Sequence, residues 1–399
     1  MQYGDSMYPR ILDLTQILER KSVFLFGPRQ TGKSTLLRTR YPDALCVNLL
    51  SNRVYQHYLT NSGALESDVL IHRRTNKSNI VIIDEVQKLP PLLDEVHNQI
   101  ESDKELRFII TGSSARKLKR DGANLLGGRA SWRSLFPLVY PEISERLRTI
   151  ADIERRLLVG GLPSIFDSSA PFADWDDYIQ LYLNEEIKAE GFVRNHEAFH
   201  RFLLTSALVN SKQINFTQVG SDAQVPPRTI HDYFQILEDT LIGHTLQPFT
   251  ETKSRKAVTS AKFYLFDTGL TNALLGRTQL RAGTPEFGDI FEQFVLLEVK
   301  AYLSYFGKRA ELTYWRSTSQ FEVDLIVKDE RGQLTAIEIK TKTSASNKDR
   351  KGLLAFAEDF PSVRKIIVTL DERRSIETSG VEVISIFEFL PALWSGELF

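Results

Sequence analysis

Short apolar runs alternate with amphipathic stretches through the first third of the chain. Val23–Phe26, Cys46–Leu49, Ile80–Ile83 and Arg107–Thr111 are each bounded by polar or turn residues, a pattern that predicts buried strands. Strands alternating with helices predict a parallel sheet with helices on its faces. From Pro141 to about Asn210 the periodicity is helical, with a break at Gly160-Gly161-Leu162-Pro163. Between Gln213 and Gln247 the chain predicts a short helix, a turn and a longer helix. Val225-Pro226-Pro227 stops the first, and Thr229 is placed to cap the second, which runs through Leu237. The stretch from about Gly283 to Phe399 reads as α/β again. It predicts a helix at Asp289–Tyr305, strands at Leu312–Trp315, Phe321–Val327 and Thr335–Thr341, a helix around Gly352–Asp359 and a strand at Lys365–Leu370. There is no internal repeat and no low-complexity tract.

Between the first strand and a helix expected near Lys33 lies Gly27-Pro28-Arg29-Gln30-Thr31-Gly32-Lys33-Ser34, a full match to G-x-x-x-x-G-K-[ST]. Strand, glycine-rich turn and helix in that order are the context a P-loop requires. The glycines let backbone N–H groups close around phosphates, and the helix N-terminus adds positive potential. Gly27 to Thr35 is therefore the expected nucleotide-binding stretch, with Lys33 neutralising phosphate charge and Ser34 a ligand of Mg²⁺. The run Ile80–Ile83 delivers Asp84 and Glu85 to the carboxyl end of a buried strand, where ligands bind in such sheets. Asp84 is the expected Mg²⁺ holder and Glu85 the residue that polarises the attacking water. At the end of the next strand, Ser113 is a candidate for orienting that water; the competing reading is helix capping by Ser113 or Ser114. Arg129 in Gly127-Gly128-Arg129 is either an arginine finger reaching a neighbouring subunit's nucleotide or half of a surface ion pair.

The strings FLFGPRQTGKSTLL, IVIIDEVQKLP, RFIITGSSARKL and LLGGRASWRSLFPL resemble those of AAA-type ATPases that carry a C-terminal nuclease-like region. The resemblance continues through GGLPSIF (Gly160–Phe166) and KFYLFDTGL (Lys262–Leu270). It implies an ATPase of the AAA+ superclass, often oligomeric, so a homo-oligomer is expected. Asn215–Gln247 resembles a winged helix with Arg228–Leu237 in the recognition position, where Arg228, Thr229 and His231 would face a groove or phosphates. Protein contact is the other common use of such a module.

In the C-terminal stretch, Glu338 and Lys340 lie two apart on an expected strand and so share a face. If that strand pairs with Phe321–Val327, Asp324 approaches Glu338. The preceding helix carries Glu292 and Glu298 at a spacing that does not put both on one face, and Glu292 is the favoured one. Carboxylates converging with a lysine suit Mg²⁺ or Mn²⁺ and water activation. The set looks like the PD-(D/E)xK nuclease pattern, with Asp324 as first acid, Glu338-Ile339-Lys340 as E-x-K and Glu292 as helix acid, although Val323 stands where that pattern has proline. A nuclease-like fold that does not cleave, or a cross-strand salt bridge, would use the same residues. Trp315 and Arg316 beside it either grip nucleic acid or form a core tryptophan with a paired arginine.

The expected fold is α/β: an AAA+-like P-loop ATPase over residues 1–140, a helical lid or linker over 141–212, a winged-helix-like segment over 213–260 and a restriction-endonuclease-like α/β domain over 261–399. The chain's 399 residues suit roughly two to four domains. Hydrophobic residues make up 42% and charged residues 25%, enough apolar surface for true cores. No apolar run approaches the roughly 18 residues that span a bilayer, the N-terminus has no secretory apolar stretch, and the single cysteine, Cys46, excludes a disulfide framework within one chain. A cytoplasmic protein with no membrane partner is expected. The net charge of −1 leaves DNA open as a partner because three basic runs are present: Arg116–Arg120, Lys253–Lys262 and Lys340–Lys351, each also readable as a solvated loop. Three functions are compatible with these features: an ATP-controlled DNA nuclease in genome defence or DNA maintenance, a regulatory or scaffolding ATPase whose nuclease-like part only binds DNA or protein, and a kinase-like phosphotransferase. Glu85 directly after Asp84 favours water over a transfer acceptor.

Overall fold

Three of the four N-terminal apolar runs are buried on both faces, as strands covered by helices must be, while the run at Cys46 lies at a sheet edge and is partly exposed. In the computed structural model they form β1 (Ser22–Phe26), β2 (Leu45–Asn48), β3 (Ile80–Asp84) and β4 (Arg107–Gly112), joined at one edge by β5 (Ala130–Ser134). All pair in parallel, in the order β2-β3-β4-β1-β5. Phe24, Phe26, Val81, Ile83, Phe108 and Ile110 share one core with the helix Leu92–Ser102. The structure describes residues 8–76, 78–112, 126–183, 195–342, 346–370, 375–376 and 379–399; Ser113 and the run Arg116–Arg120 lie outside the described residues.

The rest builds a second sheet from β6 (Lys212–Gln213), β7 (Gly243–Pro248), β8 (Lys262–Leu265), β9 (Glu311–Arg316), β10 (Glu322–Lys328), β11 (Leu334–Ile339), β12 (Arg364–Thr369), β13 (Ser375–Ile376) and β14 (Val381–Ser385). Their order is β13-β14-β12-β11-β10-β9-β7-β8-β6. The helix Pro285–Tyr305 starts at a Thr284 cap whose side chain accepts from Phe287 N, with proline at its first position. Its Phe291, Phe294 and Val295 pack with Leu325, Val327, Ile337 and Ile339. Trp315, Val323, Ile326 and Ala336 form a separate core with Leu353 and Phe356 of the helix Lys351–Ala357.

The chain forms two compact units where four segments were expected. Arg10–Phe136 with Asp239–Leu241 makes one, and Pro137–Glu238 with Ile242–Phe399 belongs to the other. The boundaries expected at 212/213 and 260/261 separate nothing, because β6, β7 and β8 hydrogen-bond into the same sheet as β9 to β14. The longer helix of the Gln213–Gln247 segment is Pro227–Asp239, so Thr229 lies inside its first turn and is not its cap. Proline favours that start because its φ is already helical and its missing N–H would be unpaired there.

Candidate functional site

Two glycines shape the loop after β1, for different reasons. Gly32 caps the helix Lys33–Arg40 at a φ of +88°, a left-handed conformation that a side chain disfavours. A Cβ on Gly27 would lie 2.4 Å from the Leu135 carbonyl oxygen. Pro28, Arg29 and Gln30 form the turn between them. Arg10 braces it, donating to Thr31 O and, at 2.7 Å, to Phe136 O. Thr31 Oγ1 donates to Pro28 O at 2.9 Å. The buried Lys33 ammonium donates to the Gly27 and Pro28 carbonyls at 2.7 and 2.9 Å, which holds it at the mouth of the loop.

Ser34 and Thr35 are exposed where the helix begins. Ser34 Oγ donates to Asp84 Oδ2 at 2.8 Å, so the two oxygens expected to hold Mg²⁺ already touch. Asp84 ends β3, and its Oδ1 accepts from Thr111 Oγ1 on the neighbouring strand. Glu85 follows in a left-handed conformation, φ +62°. Its N–H donates to Thr111 Oγ1 at 3.3 Å and its carboxylate accepts from Gln87 Nε2. A cavity of about 390 Å³ opens beside Ser34 and Asp84, bordered also by Leu37, Arg38, Cys46 and Asn48. The donor set of one hydroxyl and one carboxylate beside a phosphate-binding loop fits Mg²⁺. Thr111, Gln87 and Arg10 carry no motif of their own in the sequence; Thr111 stands two residues before Ser113 in Thr111-Gly112-Ser113-Ser114.

Arg129 is not brought to this site. It precedes β5, whose first residue pairs with Ser22 at the start of β1, and its guanidinium pairs with Glu101. The five residues of β1, roughly 16 Å of strand, separate it from the P-loop of its own chain.

In the second unit, β10 and β11 pair antiparallel with Leu325 opposite Ile337, next to Asp324 and Glu338 on their own strands. The pairing of β10 with β9 shifts between Val323 and Ile326, and such irregularities re-aim side chains. Asp324 Oδ2 accepts from Ile339 N at 2.8 Å and from Lys340 Nζ at 3.4 Å. Lys340 Nζ lies 2.6 Å from Glu338 Oε1, while Glu338 Oε2 is buried with no hydrogen-bond partner. Glu292 reaches the same cluster through Lys262, whose Nζ stands 2.9 Å from Glu292 Oε1, 2.7 Å from Glu322 Oε1 and 3.9 Å from Asp324 Oδ1. Glu298 points elsewhere, accepting from Tyr140 N and, at 2.8 Å, from Trp394 Nε1.

Burial pushes the Glu292 carboxyl up to about 7 against the pull of Lys262. Glu338 is driven well above the usual range by burial and by Asp324. For Asp324 burial acts in the same direction, but Lys340 and Lys262 outweigh it and hold the carboxyl below its usual value. Lys262 stays charged: burial disfavours its cation, and Glu292, Asp324 and Glu322 more than compensate. The carboxylates are thus balanced by ammonium groups of the same chain. Among the described residues no group of three or more His, Cys, Asp or Glu is arranged to hold a metal ion. The nuclease pattern's acids converge, yet as they stand they do not fit a metal ion, because the Lys262 ammonium lies beside Glu292, Glu322 and Asp324. In the sequence this lysine was the tail of a basic run; in the fold it is a buried first residue of β8, with 4% of its side chain exposed.

Other residues singled out in the sequence lie away from these two clusters or are held in structural contacts. Gly160-Gly161 and Asp267 interlock, with Asp267 accepting from Gly161 N at 2.8 Å and Gly269 N at 2.7 Å. Trp315 is fully buried and donates to Thr252 Oγ1, so it cannot stack on a nucleic acid; Arg316 pairs with Glu322. Arg228 and His231 are exposed on the helix Pro227–Asp239, and Thr229 is half-buried. No helix among the described residues is long and apolar enough to cross a membrane.

Residues 19–144 match the family model described as AAA domain; residues 150–281 and 287–389 match two domains of unknown function (DUF8612 and DUF4143). An uncharacterized protein of Mycobacterium tuberculosis is 28% identical over 88% of this chain and 77% of its own length. One of Haemophilus influenzae is 22% identical over 91% and 92%. A solved signal transduction ATPase with numerous domains and a tetratricopeptide repeat sensor, from Pyrococcus horikoshii, is similar at 16% identity and a TM-score of 0.29, over 75% of this chain and 47% of that one; the chain spans less than half of that structure's length. The AAA match falls on the stretch that holds the P-loop, Asp84 and Glu85, so the N-terminal part of this chain is similar to AAA-type P-loop ATPase domains.

Proposed function

We propose that the chain is a Mg²⁺–ATP-hydrolysing switch whose nucleotide cycle controls a C-terminal unit that binds DNA or protein without cutting it. The observation that carries the ATPase half is the 2.8 Å contact between Ser34 Oγ and Asp84 Oδ2 beside the P-loop lysine. Lys33 would exchange its two carbonyl contacts for phosphate oxygens. Ser34 and Asp84 would hold Mg²⁺, which neutralises phosphate charge when bound with ATP. Thr111 fixes Asp84 and the Glu85 backbone, and Glu85 accepts a proton from the attacking water. Arg129 acts, on this reading, only across a subunit interface of a homo-oligomer. The observation that favours binding over cutting is the Lys262 ammonium among the acids of the C-terminal cluster.

Turnover and nucleotide affinity test the first half. Lys33→Ala is expected to lose tight ATP binding, and Glu85→Gln to keep binding while turnover falls by about two orders of magnitude or more; normal turnover in Glu85→Gln would remove the role given to that residue. Incubation of plasmid and single-stranded DNA with Mg²⁺ or Mn²⁺, with and without ATP, tests the second. No cleavage is expected. Cleavage that disappears in Asp324→Ala would establish the competing reading, a metal-dependent nuclease built on Asp324, Glu338 and Lys340.

A further inference from the structure

The cation of the C-terminal acidic cluster is part of the chain itself. Lys262 opens β8 and is pinned there by pairing on both sides, with Gln213 of β6 and Leu246 of β7. Its side chain is 4% exposed and its Nζ faces Glu292, Glu322 and Asp324 at 2.9, 2.7 and 3.9 Å. Two of these are lengths of charge-assisted hydrogen bonds. Two residues on, and therefore on the same side of the strand, Tyr264 OH donates to Glu292 Oε1 at 2.6 Å. Glu292 Oε1 thus already serves two donors, and Asp324 Oδ2 serves Ile339 N and Lys340. A divalent ion needs several such oxygens at about 2.0 to 2.6 Å, and here it would meet a buried positive charge in their midst, with Glu292 Oε1 and Asp324 Oδ2 already engaged.

We propose that the Lys262 ammonium is the resident cation of this cluster, standing where the nuclease pattern would put a divalent metal, so that the wild-type C-terminal unit carries no functional Mg²⁺ or Mn²⁺ site. Removing the ammonium then uncovers one: Asp324, Glu292, Glu322 and the unpartnered Glu338 Oε2 become available to an ion. The inference deepens the non-cleaving reading of the C-terminal unit and rests on it.

Mn²⁺ titration of the nucleotide-free full chain, followed by electron paramagnetic resonance of free Mn²⁺, tests it. Wild type and Asp324→Asn are expected to bind equal amounts, since any ion at Ser34 and Asp84 is common to both. Lys262→Ala is expected to take up about one further ion per chain, and the Lys262→Ala/Asp324→Asn double variant to lose it again. An ion bound by wild type and lost in Asp324→Asn would overturn the proposal, as would a folded Lys262→Ala chain that gains none. If Lys262→Ala does not fold, the comparison of wild type with Asp324→Asn decides alone. The readout is metal occupancy, so its failure is separate from a failure of DNA or protein binding, which a binding assay on wild type reports.

Discussion

Gln87 is tied both to Glu85, the proposed water-activating acid, and to the end of β4 beside it. Its amide donates to Glu85, and a Cβ at Gly112, the last residue of β4, would come within 2.5 Å of its Oε1. The glycine therefore leaves room for the amide, and the amide sets where the Glu85 carboxylate sits. Misplacing a catalytic group by about 1 Å can cost on the order of 100-fold in rate. Gln87→Leu keeps most of the bulk and removes the donor. It is expected to lower kcat for ATP by about tenfold or more while nucleotide Kd stays within about twofold. Steady-state turnover with fluorescent-nucleotide binding checks the split; equal losses in both would make Gln87 a structural residue of the loop.

The helix Pro285–Tyr305 carries two acids, the partly buried Glu292 and the buried Glu298, in different surroundings. Burial raises the Glu298 carboxyl to about 7, with Arg156 opposing. A value above that of an unfolded glutamate means that folding favours the protonated form. The resulting stabilisation is complete below about pH 4.5 and is lost as pH rises through about 7. Glu298→Gln keeps an acceptor for Tyr140 N and Trp394 Nε1 and abolishes the titration. Urea unfolding at pH 5 and 7.5 is expected to show wild type losing on the order of 2–3 kcal/mol that the variant retains. At this scale, too, the reach of the sequence is plain. β1, β3 and β4 were legible because each is an uninterrupted apolar run buried on both faces. β5 was not, since its Ala-Ser-Trp-Arg-Ser has no apolar run and lies at a sheet edge. Ser34, Asp84 and Glu85 follow from local spacing alone. Thr111 and Lys262 do not, because their partners are 27 and 30 residues away along the chain; strand pairing brings Thr111 to Asp84, and packing of the helix Pro285–Tyr305 brings Glu292 to Lys262.

On the scale of the whole molecule, a ligand bound to one unit stabilises that unit by mass action. ATP with Mg²⁺ at about 100 times its Kd is expected to add about 2.7 kcal/mol to unfolding of the unit containing Arg10–Phe136. Lys33→Ala cancels the gain. Calorimetry that showed the same shift in Lys33→Ala as in wild type would place the nucleotide elsewhere. The nine-stranded sheet, for its part, dictates where the chain can be cut. A fragment begun at residue 261 keeps β8 but discards β6 and β7, the two strands that pair with it, and with β7 it strips one flank of β9. Bare strand flanks of that kind are templates for aggregation. Such a fragment is expected to precipitate or self-associate on size-exclusion chromatography, whereas one begun at Pro137 retains all nine strands and stays dispersed.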